Sequence, residues 1–184
     1  MACLQLRFAG RKALLWSLWG VLAAAAMVVA AYPFSPRIAN GKLELTVLDV
    51  GQGDSLFVVS PTGKTLLIDG GGAFGGFPGH EQAQGSDPGE EAVSPYLWSR
   101  GFKKIDVVAL THAHQDHLGG LNAVLENFRI GRLWIGSEVH NPGLAKLEAL
   151  ARARNIPVEY EARGEHFSLD EVQGEFFVAG NFAG

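Results

Sequence analysis

Cysteine is almost absent: Cys3 is the only one in 184 residues. That rules out an intrachain disulfide framework and any metal site built on thiolates. Positive charge is scarce beyond the N-terminus. Arg7, Arg11 and Lys12 precede Tyr32, and the residues after it carry 12 basic against all 19 acidic side chains, a formal −7. Such a surface is a poor general binder of duplex DNA, whose affinity comes largely from Lys and Arg on phosphates. Any nucleic-acid contact is expected only in an active-site groove, where bound divalent ions would offset part of the charge. No internal repeat is present.

Charge of either sign is missing between Lys12 and Arg37. Within that gap Ala13 to Tyr32 is apolar apart from Ser17 and Gly20, long enough to span a hydrocarbon core as a helix. Basic residues flank it on the N-terminal side, so the positive-inside rule places residues 1–12 in the cytoplasm and the remainder outside. The expectation is a retained single-pass anchor over 13–32 in the cytoplasmic (inner) membrane, with the domain on the outer or periplasmic side. A signal peptide cleaved near Ala30-Ala31 is the alternative, although the apolar run is long for one. Residues 33–41 form a Pro-containing linker, and 42–184 a single domain.

The domain opens with three segments joined by Gly/Pro turns: Lys42–Val50, Leu56–Ser60 and Thr65–Asp69. Their composition predicts an antiparallel meander of strands. The glycine-rich stretch Gly70–Gly89 is too long and aperiodic for a simple connection and reads as a flap or insertion. Asp87-Pro-Gly-Glu90 has a capping-box pattern, predicting a helix that ends at Gly101 and restarts at Ser94-Pro95. Ile105–Thr111 predicts a buried strand, Leu118–Phe128 a helix, Arg132–Ile135 a strand, Pro142–Arg154 a helix, Pro157–Tyr160 a strand, and 165–179 two weaker strands.

Thr111-His-Ala-His-Gln-Asp-His117 carries the chemistry. His112, His114, Asp116 and His117 put three imidazoles and a carboxylate within six residues on the loop leaving a buried strand. Imidazole nitrogen with carboxylate oxygen suits Zn²⁺, Mn²⁺ or Fe. Four such donors this close would crowd and repel without metal, which outweighs a solvated surface loop. Gly119-Gly120 permits close backbone approach beside them. Asp69 ends a strand, where it either orients a ligand histidine or caps the turn. Gln52 and Asp54 lie on a glycine loop that either faces the site or, with Asp49, makes an Asx-type hairpin turn. His80, His140 and His166 stand singly and read as solvated; Trp98, Trp134 and the phenylalanines read as core.

The His112-x-His114-x-Asp116-His117 run after a buried strand resembles the metal-binding signature of the metallo-β-lactamase superfamily. Leu48–Ser55, Leu67–Gly71, Pro95–Gly101 and Thr111–Leu121, in that order, resemble the C-terminal domain of ComEC-type DNA-uptake competence proteins, the match running from about residue 42 to 160. The resemblance implies an α+β fold, a four-layered αββα sandwich with two divalent metal ions (Zn or Mn) at one edge of its sheets. It implies that His112 and His114 serve the first metal and Asp116 and His117 the second, with Asp116 also catalytic and Asp69 orienting a ligand from behind.

It further implies a membrane-anchored hydrolase, a phosphodiesterase or nuclease acting on DNA during uptake, alongside other components of an uptake channel. Two alternatives are a hydrolase of small esters, thioesters or lactones on the same fold, and a non-catalytic DNA-guiding module. The superfamily supplies further ligands late in the chain. After His117 only His140 and His166 remain, neither in a recognisable motif, so the expectation is a domain incomplete at its C-terminus, with much of the second sheet missing and weak activity by itself.

Overall fold

The computed structural model describes residues 2–31, 35–72, 87–136, 141–161 and 164–175. The chain divides into two compact units, Met1–Ser35 and Pro36–Gly184. The first is a single helix, α1 (Ala2–Ala31). Within it Lys12–Val29 has a mean hydropathy of 1.8, and by length and composition it can cross a membrane. Leu14, Trp16, Trp19 and Val28 are all more than half exposed, with no polar face between them.

The second unit is built on a six-stranded sheet whose spatial order follows the chain, β1 to β6. β1 (Glu44–Val47), β2 (Leu56–Val59) and β3 (Thr65–Ile68) form the expected antiparallel meander. β4 (Lys104–Leu110), β5 (Arg129–Ile135) and β6 (Val158–Tyr160) then add in parallel. Parallel neighbours need crossover connections. These carry α2 (Ser94–Ser99), α3 (Gln115–Leu118) with α4 (Leu121–Asn127), and α5 (Pro142–Ala153).

Alternation along the strands sorts the core into two sides. Phe57, Leu67, Val108, Leu110, Leu133 and Ile135 meet Leu97, Leu121, Leu125, Leu144 and Leu147 of the helices. Leu66, Val107, Ala109 and Trp134 point the other way, against Phe167 and Leu169. Those two belong to a separate hairpin, β7 (His166–Leu169) with β8 (Val172–Glu175). Among the described residues the layers are therefore helices, a six-stranded sheet, and the two-stranded sheet of the hairpin. Leu45 and Val47, 61% and 72% exposed on the edge strand β1, are not covered by it.

Several expectations need correction. The run Leu118–Phe128 is not one helix: Gly120 N–H leaves the helical ladder to donate to Gly71 O at 3.1 Å, separating α3 from α4. That contact demands glycine, since a Cβ on Gly120 would lie 2.3 Å from Gly70 O. Asp87 does cap its helix, its Oδ1 accepting from Gly89 N at 2.8 Å, but the chain first makes a π-helical turn, Gly89–Val93, before α2. Glu90 does not complete a capping box; its Oε1 accepts from Asn127 Nδ2 at 2.9 Å. Trp98 is not core: it is 49% exposed, resting on Phe128. The middle of the glycine-rich stretch, 73–86, lies outside the described residues, as do His80 and His140.

The segment entering β1 is held by Arg100. Its guanidinium donates to Glu44 Oε1 at 2.6 Å and Oε2 at 3.0 Å, a bidentate pair, and to Tyr96 Oη at 2.8 Å and the Arg37 carbonyl. The hydrogen bonds from Arg100 hold the Glu44 carboxyl below its ordinary range.

Candidate metal centre

The site is assembled at the C-terminal ends of β3 and β4. β3 ends at Asp69, whose φ of +57° is a left-handed conformation that Asp and Asn tolerate better than other non-glycine residues. This turns the carboxylate toward the end of β4, while Asp69 N–H still donates to Ala109 O at 2.8 Å. The side chain is buried at 2% exposure and fully engaged. Oδ1 accepts from Thr111 N at 2.8 Å; Oδ2 accepts from Thr111 Oγ1 at 2.6 Å and from His117 Nδ1 at 2.8 Å.

Counting donors assigns the tautomers. Thr111 has one hydroxyl proton, and the Asp69 carboxylate takes it. The Thr111 oxygen lone pair then faces His112 Nδ1 at 3.0 Å, so that nitrogen carries hydrogen. His117 Nδ1, against a carboxylate oxygen, carries hydrogen as well. In the neutral form of each ring this leaves Nε2 as the nitrogen without hydrogen. One buried carboxylate thus fixes two imidazoles, one directly and one through Thr111.

The three rings are in contact: His112 lies edge-on to His114, 4.6 Å between centroids, and tilted against His117 at 3.9 Å. Burial, with the neighbouring His117 and His114, lowers the pKa of His112 and keeps it a neutral donor near pH 7. His117 Nε2 stands 3.5 Å from Asp116 Oδ2. Two donors about 2.1 Å from one ion at a tetrahedral angle are about 3.4 Å apart, so this pair already has the spacing that a shared divalent ion requires. Among the described residues, however, no three His, Cys, Asp or Glu side chains converge as a set for one ion. The donor types and the Asp116–His117 spacing fit a metal; the arrangement is pairwise rather than a closed cage.

The glycine loop between β1 and β2 packs directly on this cluster. A Cβ on Gly53 would lie 1.7 Å from Asp116 O, and its φ of +77° also favours glycine. Gln52 O and Asp54 O accept from Gly72 N at 3.1 Å and Gly71 N at 2.9 Å. The loop therefore abuts the histidine loop through its backbone, while the Asp54 side chain is exposed. Asp49 makes the Asx turn, accepting from Gly51 N at 3.2 Å. His166 lies exposed on β7.

Three participants were not singled out from sequence. Thr111 links Asp69 to His112. Ser55, fully buried, donates to the Asp69 carbonyl at 3.0 Å. Asn141 donates through Nδ2 to the Ala113 carbonyl, between His112 and His114. Only the hydroxyl beside the histidines was visible as a sequence signal.

Comparison with known proteins gives a consistent frame. The family model described as metallo-beta-lactamase superfamily matches residues 48–181. ComE operon protein 3 of Bacillus subtilis (strain 168) is 34% identical over 134 residues, covering 71% of this chain and 17% of that protein. YcaI of Escherichia coli (strain K12) is 29% identical over 131 residues, 69% of this chain and 16% of that one. Ribonuclease J of Mycolicibacterium smegmatis is 30% identical over 97 residues, 50% of this chain and 16% of that one. The chain thus spans about a sixth of the length of these relatives.

Proposed function

From the premise that this chain belongs to the metallo-beta-lactamase superfamily, we propose that its domain is a metal-dependent phosphodiesterase acting on DNA. His112 and His114 hold one divalent ion, Zn or Mn, and Asp116 and His117 a second. The observation that carries this reading is the Asp69 carboxylate, which engages His117 Nδ1 directly and His112 Nδ1 through Thr111, so that Nε2 is the outward nitrogen of both rings and that of His117 stands 3.5 Å from Asp116 Oδ2. When bound, such ions supply Lewis-acid stabilisation of developing charge and lower the pKa of water toward neutrality. Asp116 would help hold the second ion and would accept a hydrogen bond from the attacking water, orienting it. Asp69 and Thr111 hold the imidazoles in the tautomers that leave nitrogen lone pairs available.

Phosphodiester chemistry is supported by the similarity to a protein named Ribonuclease J. DNA is supported by the resemblance to ComEC-type uptake proteins and the 34% identity to ComE operon protein 3. On this reading α1 anchors the chain in the cytoplasmic membrane with the domain outside, beside other components of an uptake channel. Incubating the purified full chain with Mn²⁺ or Zn²⁺ and single- or double-stranded DNA is the test; intact DNA in every condition removes the substrate assignment.

A small ester, thioester or lactone is the second reading, favoured by the −7 charge after Tyr32. A cleft of about 310 Å³ lined by Lys64, Lys104 and Arg132 lies at the start of β4, away from the metal loop. Its cations are paired with Asp106 and Glu159, so it makes no open phosphate track. Faster turnover of acyl-lactones or thioesters than of phosphodiesters would decide for this reading. DNA binding that persists in chelator, without hydrolysis, would favour a guiding module instead.

A further inference from the structure

Asn141 stands immediately before α5, with Pro142 at the first helical position. Its Oδ1 accepts from Leu144 N at 2.9 Å, the ordinary work of an N-cap. The other half of the same amide points away from α5. Nδ2 donates to the carbonyl of Ala113, a residue 28 positions earlier in the chain. Ala113 is the residue between His112 and His114, and it is buried with Leu118 and Leu144 in the helix-side core.

The next carbonyl along is held too. His114 O accepts from His117 N at 3.1 Å and Leu118 N at 2.9 Å, the first turn of α3. The peptide plane joining Ala113 to His114 is therefore fixed by Asn141 at its oxygen and by α3 one residue on. Rotating that plane would swing the Cα–Cβ bond of His114 and change where its imidazole points relative to His112, 4.6 Å away.

We infer that Asn141 is a positioning residue for the metal loop: through the Ala113 carbonyl it sets the relative placement of His112 and His114. The inference deepens the proposed function and rests on those two histidines being ligands. The residue type matters because a primary amide offers an acceptor and a donor on opposite sides of one rigid plane. Serine is as good an N-cap as asparagine but has no second arm to reach Ala113 O. Alanine supplies neither contact.

The experiment compares the full chain in detergent micelles with its Asn141→Ser and Asn141→Ala variants. Three readouts are taken: thermal melting without metal, the ¹⁵N shift of the His114 amide without metal, and Co²⁺ titration followed by absorbance. We expect Asn141→Ser, which keeps the cap and loses only the Ala113 contact, to melt between wild type and Asn141→Ala, while its His114 amide shifts and its Co²⁺ affinity falls about 10–100-fold, the usual scale for a lost outer contact. Asn141→Ala should show the same affinity loss and also a lower melting temperature. An Asn141→Ser protein with wild-type Co²⁺ affinity and an unmoved His114 amide overturns the inference alone. A wild-type chain that takes no Co²⁺ at millimolar concentration overturns the metal reading, and this inference with it.

Discussion

Asp69 Oδ2 and His117 Nδ1 are 2.8 Å apart, 48 residues apart in the chain, and the same oxygen accepts the Thr111 hydroxyl at 2.6 Å. A single buried carboxylate oxygen therefore governs which nitrogen of two histidines is free. The Asp69→Asn variant separates its charge from its shape, because Asn also tolerates the left-handed backbone. An amide N–H₂ facing His117 Nδ1 makes that nitrogen the acceptor and moves the hydrogen to Nε2. We expect metal affinity to fall about 10–100-fold, with the imidazole ¹⁵N spectrum reporting the changed tautomer. An unchanged tautomer with unchanged affinity would remove Asp69 from its orienting role.

The loop carrying Gln52 and Asp54 should prove sensitive at the glycine between them. Gly53→Ala forces a Cβ to 1.7 Å from Asp116 O and a left-handed φ of +77° on a residue with a side chain. The backbone conformation alone costs about 1–2 kcal/mol, and relieving the overlap means moving the Asp116 loop. The expected result is a loss of more than about 2 kcal/mol in urea unfolding, with weakened metal binding in whatever fraction remains folded. A variant as stable as wild type would mean the loop is free to move off Asp116.

Much of this architecture was readable because period-2 and apolar patterns belong to local sequence. β2, β3, β4 and α5 fall within a residue or so of their expected bounds. What failed was set by partners distant in sequence. Nothing local shows that Gly120 N–H will prefer Gly71 O to its own helix, or that Trp98 will rest half exposed on Phe128. The histidine cluster is visible as a motif; the residues alone leave Asp69 balanced between orienting and capping, the resemblance implies orienting, and the parallel register of β3 and β4 sets its carboxylate against Thr111 and His117. Thr111 and Asn141 act through hydrogen bonds to Asp69 and to Ala113, partners that the fold, not the spacing, brings near.

Glu44 and Arg100 give a pH signature away from the histidines. Because Arg100 lowers the folded-state pKa of Glu44, the pair's stabilisation is fully present above the unfolded value of about 4.3 and is lost as pH falls through the folded value. Both side chains are less than a third exposed, at 28% and 19%, so about 1 kcal/mol is expected. Glu44→Gln should lower stability at pH 7 by about that amount and leave the variant's curve flatter than wild type below pH 4.3. Parallel curves for the two proteins across this window would show that the pair contributes nothing.

The membrane orientation is checked separately. Arg7, Arg11 and Lys12 before an apolar helix predict the domain on the outer side of the cytoplasmic membrane. A reporter active only outside the cytoplasm, fused after Gly184, should be active. Activity from a cytoplasm-only reporter at the same position would reverse the orientation.

Metal titration addresses how much of a centre these residues build. A catalytic zinc site takes three protein ligands and water, whereas the proposed assignment gives each ion two of the four donors, and no three donors converge among the described residues. Complete four-ligand zinc sites are worth about 10–16 kcal/mol. Half of that, about 5–8 kcal/mol, corresponds to dissociation constants of roughly 1 to 200 µM. Calorimetry of the full chain with Zn²⁺ should therefore show weak binding, and His112→Ala should remove one component while leaving that of Asp116 with His117. Nanomolar uptake of two equivalents, abolished by His112→Ala, would mean that further donors close the site. His80 and His140, outside the described residues, would then be the first to substitute.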